Sequence, residues 1–239
     1  MTQLTFGIKT APQHTTYEAM LEVWKQADNN EAFEHAWLFD HYAPICSDVD
    51  GPCLEGWTAL AAFAADSLPL GPHWIYNTDK IKSEFGRVDS PAAPGPDSFH
   101  KTRGKGDFTH YGDQMLVLLE SVADNKSFDL HDFSTRWRRL FEDYDGYVDG
   151  ATRKTLANYE KGKGPKEAGS PSNDFAGAAR IAPLACLYSD DPDRFAEAAR
   201  SQTAMTHNDE AVIDASAFFA GVVCSVLQGT GPTGATQET

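Results

Sequence analysis

The chain has 239 residues, 41% of them hydrophobic, and a formal charge of −15 at pH 7. That length allows one large domain or two small ones, and the apolar share is enough to bury a core. The negative balance argues against a nucleic-acid or anionic-membrane surface, because binding phosphates needs positive patches. No nucleic-acid partner and no membrane partner is expected.

Residues 4–8 read as a short strand. Thr16 then caps an amphipathic helix carrying Met20, Leu21, Val23 and Trp24. Residues 36–39 read as a second strand, ending in Asp40 and His41. A strand, a helix and a strand in this order imply a parallel pair. Polar residues at the C-terminal end of a barrel strand are where active sites lie; a loop cap is the structural alternative. An Ala/Leu-rich helix follows at residues 60–65. Residues 83–106 are rich in Pro and Gly and read as a long loop. Its Lys101, Thr102 and Arg103 either meet a phosphate or stand in solvent.

Residues 106–115, Gly-Asp-Phe-Thr-His-Tyr-Gly-Asp-Gln-Met, lead into an apolar helix with Leu116, Leu118, Leu119 and Val122. Gly112 reads as the break, and Asp113 as a first-turn carboxylate that offsets the helix dipole. Such an end is a ready ligand site, since its free N–H groups point outward. An ordinary capped core helix is the alternative.

The remainder reads as helix after helix. Asp129 caps a run with Leu130, Phe133, Trp137, Leu140 and Phe141 on one face. Asp149 and Gly150 open the next, residues 174–188 are Ala-rich and interrupted at Pro183, and Asp191-Pro192 starts another. Asn208 is expected to cap the longest, from Val212 to Leu227, with Gly229 ending it. The small, polar tail at residues 230–239 is expected to be disordered. Cys46, Cys53, Cys186 and Cys224 show neither paired metal spacing nor a dense disulfide pattern. Cys186 and Cys224 lie in apolar runs and read as buried thiols. With no signal peptide or long apolar span read in the chain, a cytoplasmic, reducing location is expected.

Four ordered stretches carry a family resemblance. They are Asp66-Ser67-Leu68-Pro69-Leu70-Gly71-Pro72-His73-Trp74, the run from Gly106 to Val122, the segment from Ser172-Asn173-Asp174 through Ala178-Ala179-Arg180-Ile181-Ala182-Pro183-Leu184, and Thr206-His207-Asn208-Asp209. Together they resemble ADP-ribosylglycohydrolases over about residues 60–229. A second resemblance rests on residues 6–14, Ala36-Trp37-Leu38-Phe39-Asp40-His41 and residues 51–57. It is to luciferase-like oxidoreductases, (β/α)₈ barrels that use flavin or deazaflavin, and it ends near Ala62. Asp40 and His41 stand where the deazaflavin-dependent members have an active-site Asp-His. Two strands cannot close a barrel, so flavin or deazaflavin chemistry is not expected.

The resemblances divide the chain into a luciferase-like fragment at residues 1–62, a helical domain at 63–229 and the tail at 230–239, a fusion joined within a shared helix. The expected fold is mainly α, an ADP-ribosylglycohydrolase-like all-α domain preceded by a short β-α-β fragment of a (β/α)₈ barrel. The first resemblance implies an ADP-ribose-like small molecule or ADP-ribosylated substrate, two magnesium ions, and hydrolysis of an N- or O-glycosidic bond. Hard cations need carboxylate oxygens. The family's ligand aspartates fall here on Tyr111 and Gly112, its glutamate falls on His73, and its closing Asp-x-Asp run is absent. No metal ligands are therefore assigned, and impaired magnesium-dependent activity is expected.

His73, His110 and Asp113 remain as catalytic candidates, since a His near a carboxylate can exchange protons near neutral pH. Ser172, Asn173, Asp174, Arg180 and His207 are the ligand-binding candidates, with Arg180 bidentate to a pyrophosphate. The structural alternatives are helix caps for His110 and His207, and an ion pair of Arg180 with Asp113 or Asp174. The expected function is an ADP-ribosylglycohydrolase-like hydrolase. A non-catalytic ADP-ribose-binding or crystallin-like relative is the alternative, and an oxidoreductase comes third.

Overall fold

A computed structural model describes residues 6–10, 15, 17–30, 33–38 and 56–239. Asp40, His41 and Thr16 lie outside the described residues. The chain divides into two compact units, Met1–Leu60 and Ala61–Thr239.

The first unit is a β-α-β element: β1 (Phe6–Thr10), α1 (Tyr17–Asp28) and β2 (Phe33–Leu38). The strands pair in parallel, with Ile8 opposite Ala36 and Thr10 opposite Leu38. A helical crossover is what a parallel pair requires. The Trp24 indole donates to Thr10 Oγ1 at 3.0 Å and ties α1 to β1.

The second unit is helical. Its helices are α2 (Gly56–Ser67, which begins before the unit boundary), α3 (Thr78–Glu84), α4 (His110–Asn125), α5 (Leu130–Leu140), α6 (Gly150–Glu160), α7 (Ala176–Ala179), α8 (Ala182–Tyr188), α9 (Pro192–Ala204), α10 (Glu210–Leu227) and α11 (Pro232–Glu238). The core joins Leu118 and Val122 of α4, Phe133 and Trp137 of α5, Leu184 of α8, Phe195 of α9 and Ala220 of α10. Each is buried by the apolar face that its helical spacing sets up.

Side-chain caps fix the entries. Asp129 accepts from the amides of His131 and Asp132, Asp149 from Thr152 and Asp191 from Arg194. Each such cap contributes about 1 kcal/mol. Two entries differ from the sequence reading. Thr109 caps α4, so Gly112 lies inside the first turn instead of breaking the chain before it. Asp209, not Asn208, caps α10 through the amides of Ala211 and Val212. The Asn208 amide instead donates to Ser170 O.

The tail also departs from expectation. It forms α11 rather than a disordered end, with Pro at its first position and Ala235 fully buried. Gly221 of α10 leaves the room: a Cβ there would stand 2.5 Å from Thr239 Cγ2. The expectation of no long apolar span gives way too. α10 has 18 residues and a mean hydropathy of 1.7, enough to cross a membrane by length and composition. Its Val212, Ser216, Ala220 and Cys224 are buried, while Phe218, Phe219 and Leu227 are exposed.

Candidate functional site

The end of α2 meets the start of α4 through one carboxylate. Thr109 donates to Asp66 twice, from its amide to Oδ2 at 2.8 Å and from Oγ1 to Oδ1 at 2.6 Å. The same Oγ1 accepts from the Tyr111 amide, which caps α4. Burial, aided by the nearby Asp113 charge, pushes Asp66 up to about 6, against the Thr109 hydrogen bonds and His110. The carboxyl thus titrates near neutrality. Phe63 and Phe108 pack beneath it with ring centroids 4.9 Å apart.

Gly112 is what lets Asp66 sit there. A Cβ at 112 would stand 2.2 Å from Asp66 Oδ2 and 2.8 Å from Phe108 Cβ. Gly112→Ala is therefore expected to cost about 1–3 kcal/mol through overpacking. Thermal unfolding checks this, and an unchanged melting temperature would contradict the close approach.

Beside α4 stands a stack of rings. His73 lies 4.5 Å from Trp74 at 20° and 4.8 Å from His100 at 23°, and His100 lies 5.6 Å from His110. Tyr147 closes edge-on against Trp74 and His110. His73 Nδ1 and His100 Nε2 share one proton across 2.6 Å. His110 Nε2 is 3.2 Å from Asp149 Oδ2, in ion-pair reach but off the hydrogen-bond direction. Burial holds His73 at about 4, with His110 adding to the effect, and holds His100 at about 4, with His73, His110 and Arg103 adding.

An imidazole held neutral by folding costs stability when the unfolded chain can take the proton. The unfolded rings titrate at 6.5 and the folded ones near 4, so between those values the unfolded state binds more protons and stability rises with pH. Asp66, raised from 3.8 to about 6, works the other way, but it is one carboxyl against two imidazoles. The urea midpoint is expected to be lower at pH 5 than at pH 7. An equal or higher midpoint at pH 5 would contradict the buried neutral stack.

A second group forms where two loops are stitched together. The Ser170 amide donates to Thr206 O at 2.9 Å, and the Asn208 amide donates to Ser170 O at 2.7 Å. His207, beside this bridge, is 2% exposed. Buried Arg180 donates to Thr206 Oγ1, whose one proton is left for His207 Nδ1 at 2.9 Å. His207 Nε2 then donates to Asp174 Oδ1 at 2.9 Å. Ser172 Oγ and the Ala176 amide also donate to Asp174. The His207 hydrogen bond leads in holding the Asp174 carboxyl well below the usual range. The relay runs Arg180, Thr206, His207, Asp174, and it presents an exposed carboxylate on a fixed loop.

Arg180 is 3% exposed, and its partners are neither a ligand nor Asp113 nor Asp174. Nε donates to Gln202 Oε1 at 2.8 Å, Nη1 to Gln114 Oε1 at 3.0 Å and Nη2 to Gln202 O at 3.2 Å. Gln114 in turn accepts from the Trp137 indole and donates to His110 O. Burial lowers the guanidinium to about 10. The pyrophosphate role is therefore corrected: Arg180 ties α4, α7 and α9 together from within. His207 is corrected likewise, since both ring nitrogens are engaged and the ring is buried. Asp113 does not join the histidines. It accepts from Arg103 at 2.8 Å and Tyr144 at 2.5 Å, while burial pushes its pKa up. Arg103 also reaches Asp145 at 3.3 Å, so it is neither solvated nor turned to a phosphate.

His73 and His110 thus share the ring stack, Ser172, Asp174 and His207 meet at the end of the relay, and Asn173 is exposed on the same loop. Tyr111 stands with the ring stack, its ring 3.9 Å from His110 and 5.9 Å from His73. Its hydroxyl pKa is raised, first by burial and then by the charges of Asp149, Asp174, Tyr147 and Asp66. Asp66, Thr109, Tyr111, His100, Gln114 and Gln202 were not picked out from the sequence as site residues. Asp66 lies in the first of the family-like stretches, but its role needs Thr109, 43 residues away.

The residues present do not fit a pair of divalent cations. Asp66 is taken by Thr109, Asp113 by Arg103 and Tyr144, Asp149 by Thr152 and His110, and Asp174 by His207 and Ser172. Gly112 has no room for a carboxylate. Among the described residues no three His, Cys, Asp or Glu side chains group as metal donors.

The chain belongs to the ADP-ribosylglycohydrolase family, whose sequence profile matches residues 58–239. It is similar to a solved structure titled "ADP-ribosylglycohydrolase-related protein complex", with a TM-score of 0.59 and 25% identity, over 73% of this chain and 56% of that one. It is also 29% identical over 124 residues to an uncharacterised protein of Archaeoglobus fulgidus, over 51% of this chain and 41% of that protein. The chain thus spans about half the length of the relatives it matches.

Proposed function

We propose that the second unit hydrolyses the glycosidic bond of an ADP-ribosylated substrate, with Asp66 as general base. The observation that carries this is the Asp66 carboxyl, half-buried at the entry of α4 with its pKa raised to about 6. A base poised near the working pH combines the right protonation state with useful proton affinity. Asp66 takes a proton from water as the water oxygen bonds to the ribose anomeric carbon. The glycosidic bond breaks, and the leaving nitrogen or oxygen takes its proton from solvent. Thr109 holds the carboxyl in place, and the relay from Arg180 fixes the Asp174 loop. No step is routed through magnesium.

The engagement of Asp113, Asp149 and Asp174 by protein partners favours a second reading, an ADP-ribose-binding protein without turnover. Release of ADP-ribose from an ADP-ribosylated peptide, with a chelator present, separates them. Release supports the hydrolase. Calorimetric binding of ADP-ribose without release supports the binder, and neither would sink both readings. A magnesium titration by calorimetry is expected to show no tight stoichiometric binding. Tight binding lost in Asp66→Asn would show that the carboxylates rearrange to take the ion.

A further inference from the structure

α10 carries a second apolar stripe, turned away from the core. Its core side is Val212, Ser216, Ala220 and Cys224. Opposite them, Ala211, Ala215, Phe218, Val222 and Val226 recur every three or four residues, which keeps them on one line of the helix. Phe219 lies beside that line. Phe218 is 37% exposed, Phe219 43% and Val226 38%. No charged residue stands between Ala215 and Leu227. A bare apolar run of this kind marks an interaction surface.

Three observations say what covers it. First, α10 is not free to enter a bilayer. Its Ala220 and Cys224 sit in the core with Leu184 and Phe195, and drawing the helix into lipid would strip that core. Second, the stripe is small at its N-terminal end, aromatic at its middle and branched at its C-terminal end. Turned end for end against a second α10, about a two-fold axis between Phe218 and Phe219, it matches itself. Ala211 then meets Val226, Ala215 meets Val222 and Phe218 meets Phe219. Small against large at each level lets the side chains interdigitate, and one patch meeting itself is the isologous contact of a two-fold dimer. Parallel pairing would set alanine on alanine and valine on valine. Third, the acids lie at one end. Glu210 is exposed there, and Asp214 is paired with Arg200 of α9. Antiparallel pairing keeps the two Glu210 side chains about 26 Å apart at 1.5 Å per residue, whereas parallel pairing would put them side by side.

We infer that α10 packs antiparallel on α10 of a second copy of this chain, with the two-fold axis between Phe218 and Phe219. The dimer is independent of the proposed hydrolysis, since the stripe holds none of the site residues. A stripe about 27 Å long and about 10 Å wide is small beside the roughly 800 Å² per partner of a lasting complex. The dimer therefore exchanges with monomer on dilution. Each copy carries a charge of −15, so salt screens a repulsion and tightens the pair.

Analytical ultracentrifugation of the full chain over a micromolar concentration series reads the association. The mass is expected to rise from that of one chain, 26.1 kDa, toward twice that value, and more readily at high salt. Phe218→Lys and Phe219→Lys should each raise the dissociation constant by about tenfold or more, as loss of a central aromatic anchor does. Both side chains are exposed, so helical circular dichroism should be unchanged. The register has its own test. Ala215→Cys chains mixed with Val222→Cys chains should cross-link on oxidation. Neither should link to itself, because like positions then stand about 10 Å apart along the axis, beyond a disulfide's reach. The parent chain, with its own 4 cysteines, sets the background. Should a lysine variant not fold, the cysteine pair decides alone. Monomer mass at every concentration, a dimer unmoved by either lysine, or loosening by salt would each overturn the interface. Ala215→Cys linking to itself would overturn the antiparallel pairing. A monomer that floats with phosphatidylcholine vesicles, and no longer does so in Phe218→Lys, would give the stripe to lipid and overturn the dimer.

Discussion

Arg180→Met is expected to lower the unfolding free energy by about 3 kcal/mol or more, within the range for breaking a buried polar network by removing one partner. The guanidinium feeds Gln202 twice, Gln114 once and Thr206 once, all inside the helical unit. Methionine fills much of the volume and supplies no donor, so those oxygens lose a partner where water cannot replace it. Relief from the cost of burying a charge offsets part of the loss. For a chain of this size the melting temperature falls by about 6–12 °C. Differential scanning calorimetry reads it. An unchanged or raised melting temperature would mean that the charge costs more than its hydrogen bonds return. The Thr206–His207–Asp174 relay loses its first member, so the Asp174 loop should also exchange its amides faster.

If Asp66 is the base proposed above, Asp66→Asn is expected to reduce turnover by about 10²–10⁴-fold, the range assigned to a positioned general base. The substitution is chosen to keep the fold. The introduced carboxamide can accept the Thr109 amide through its carbonyl oxygen and turn its N–H₂ toward Thr109 Oγ1, which can accept. The entry of α4 then survives while the proton acceptor is lost. Helical circular dichroism should be unchanged. Turnover within tenfold of the parent chain, with the dichroism intact, would remove Asp66 from the chemistry.

What was legible in the sequence was local. Asp129, Asp149 and Asp191 each precede a helix whose apolar spacing starts within a turn, and each caps it as read. The parallel β-α-β order of the first unit was legible for the same reason. The errors came where neighbours compete. Asn208 and Asp209 are both capping residues, and the choice fell to Asp209 because the Asn208 amide is drawn to Ser170 on another loop. Gly112 looked like a chain break because glycine weakens helices. Its purpose is steric, and only the approach of Asp66 reveals it. Arg180 carried a ligand-binding expectation, since an arginine near a polar loop reads the same from outside or inside. Its two glutamine partners lie on other helices, at separations of 66 and 22 residues, with no periodic signal to announce them. The tail looked polar enough to be free, yet Ala235 and the bare face at Gly221 let it fold onto α10.

The most direct test of the account is the pH dependence of kcat/KM for ADP-ribose release from an ADP-ribosylated peptide, measured with a chelator present. Asp66 works as a base only when ionised, and its pKa is about 6. The rate should therefore rise about tenfold per pH unit below that value and level off above it. The limb should vanish in Asp66→Asn. A flat or falling profile between pH 5 and 7.5, or release that appears only when magnesium is added, would contradict the assignment.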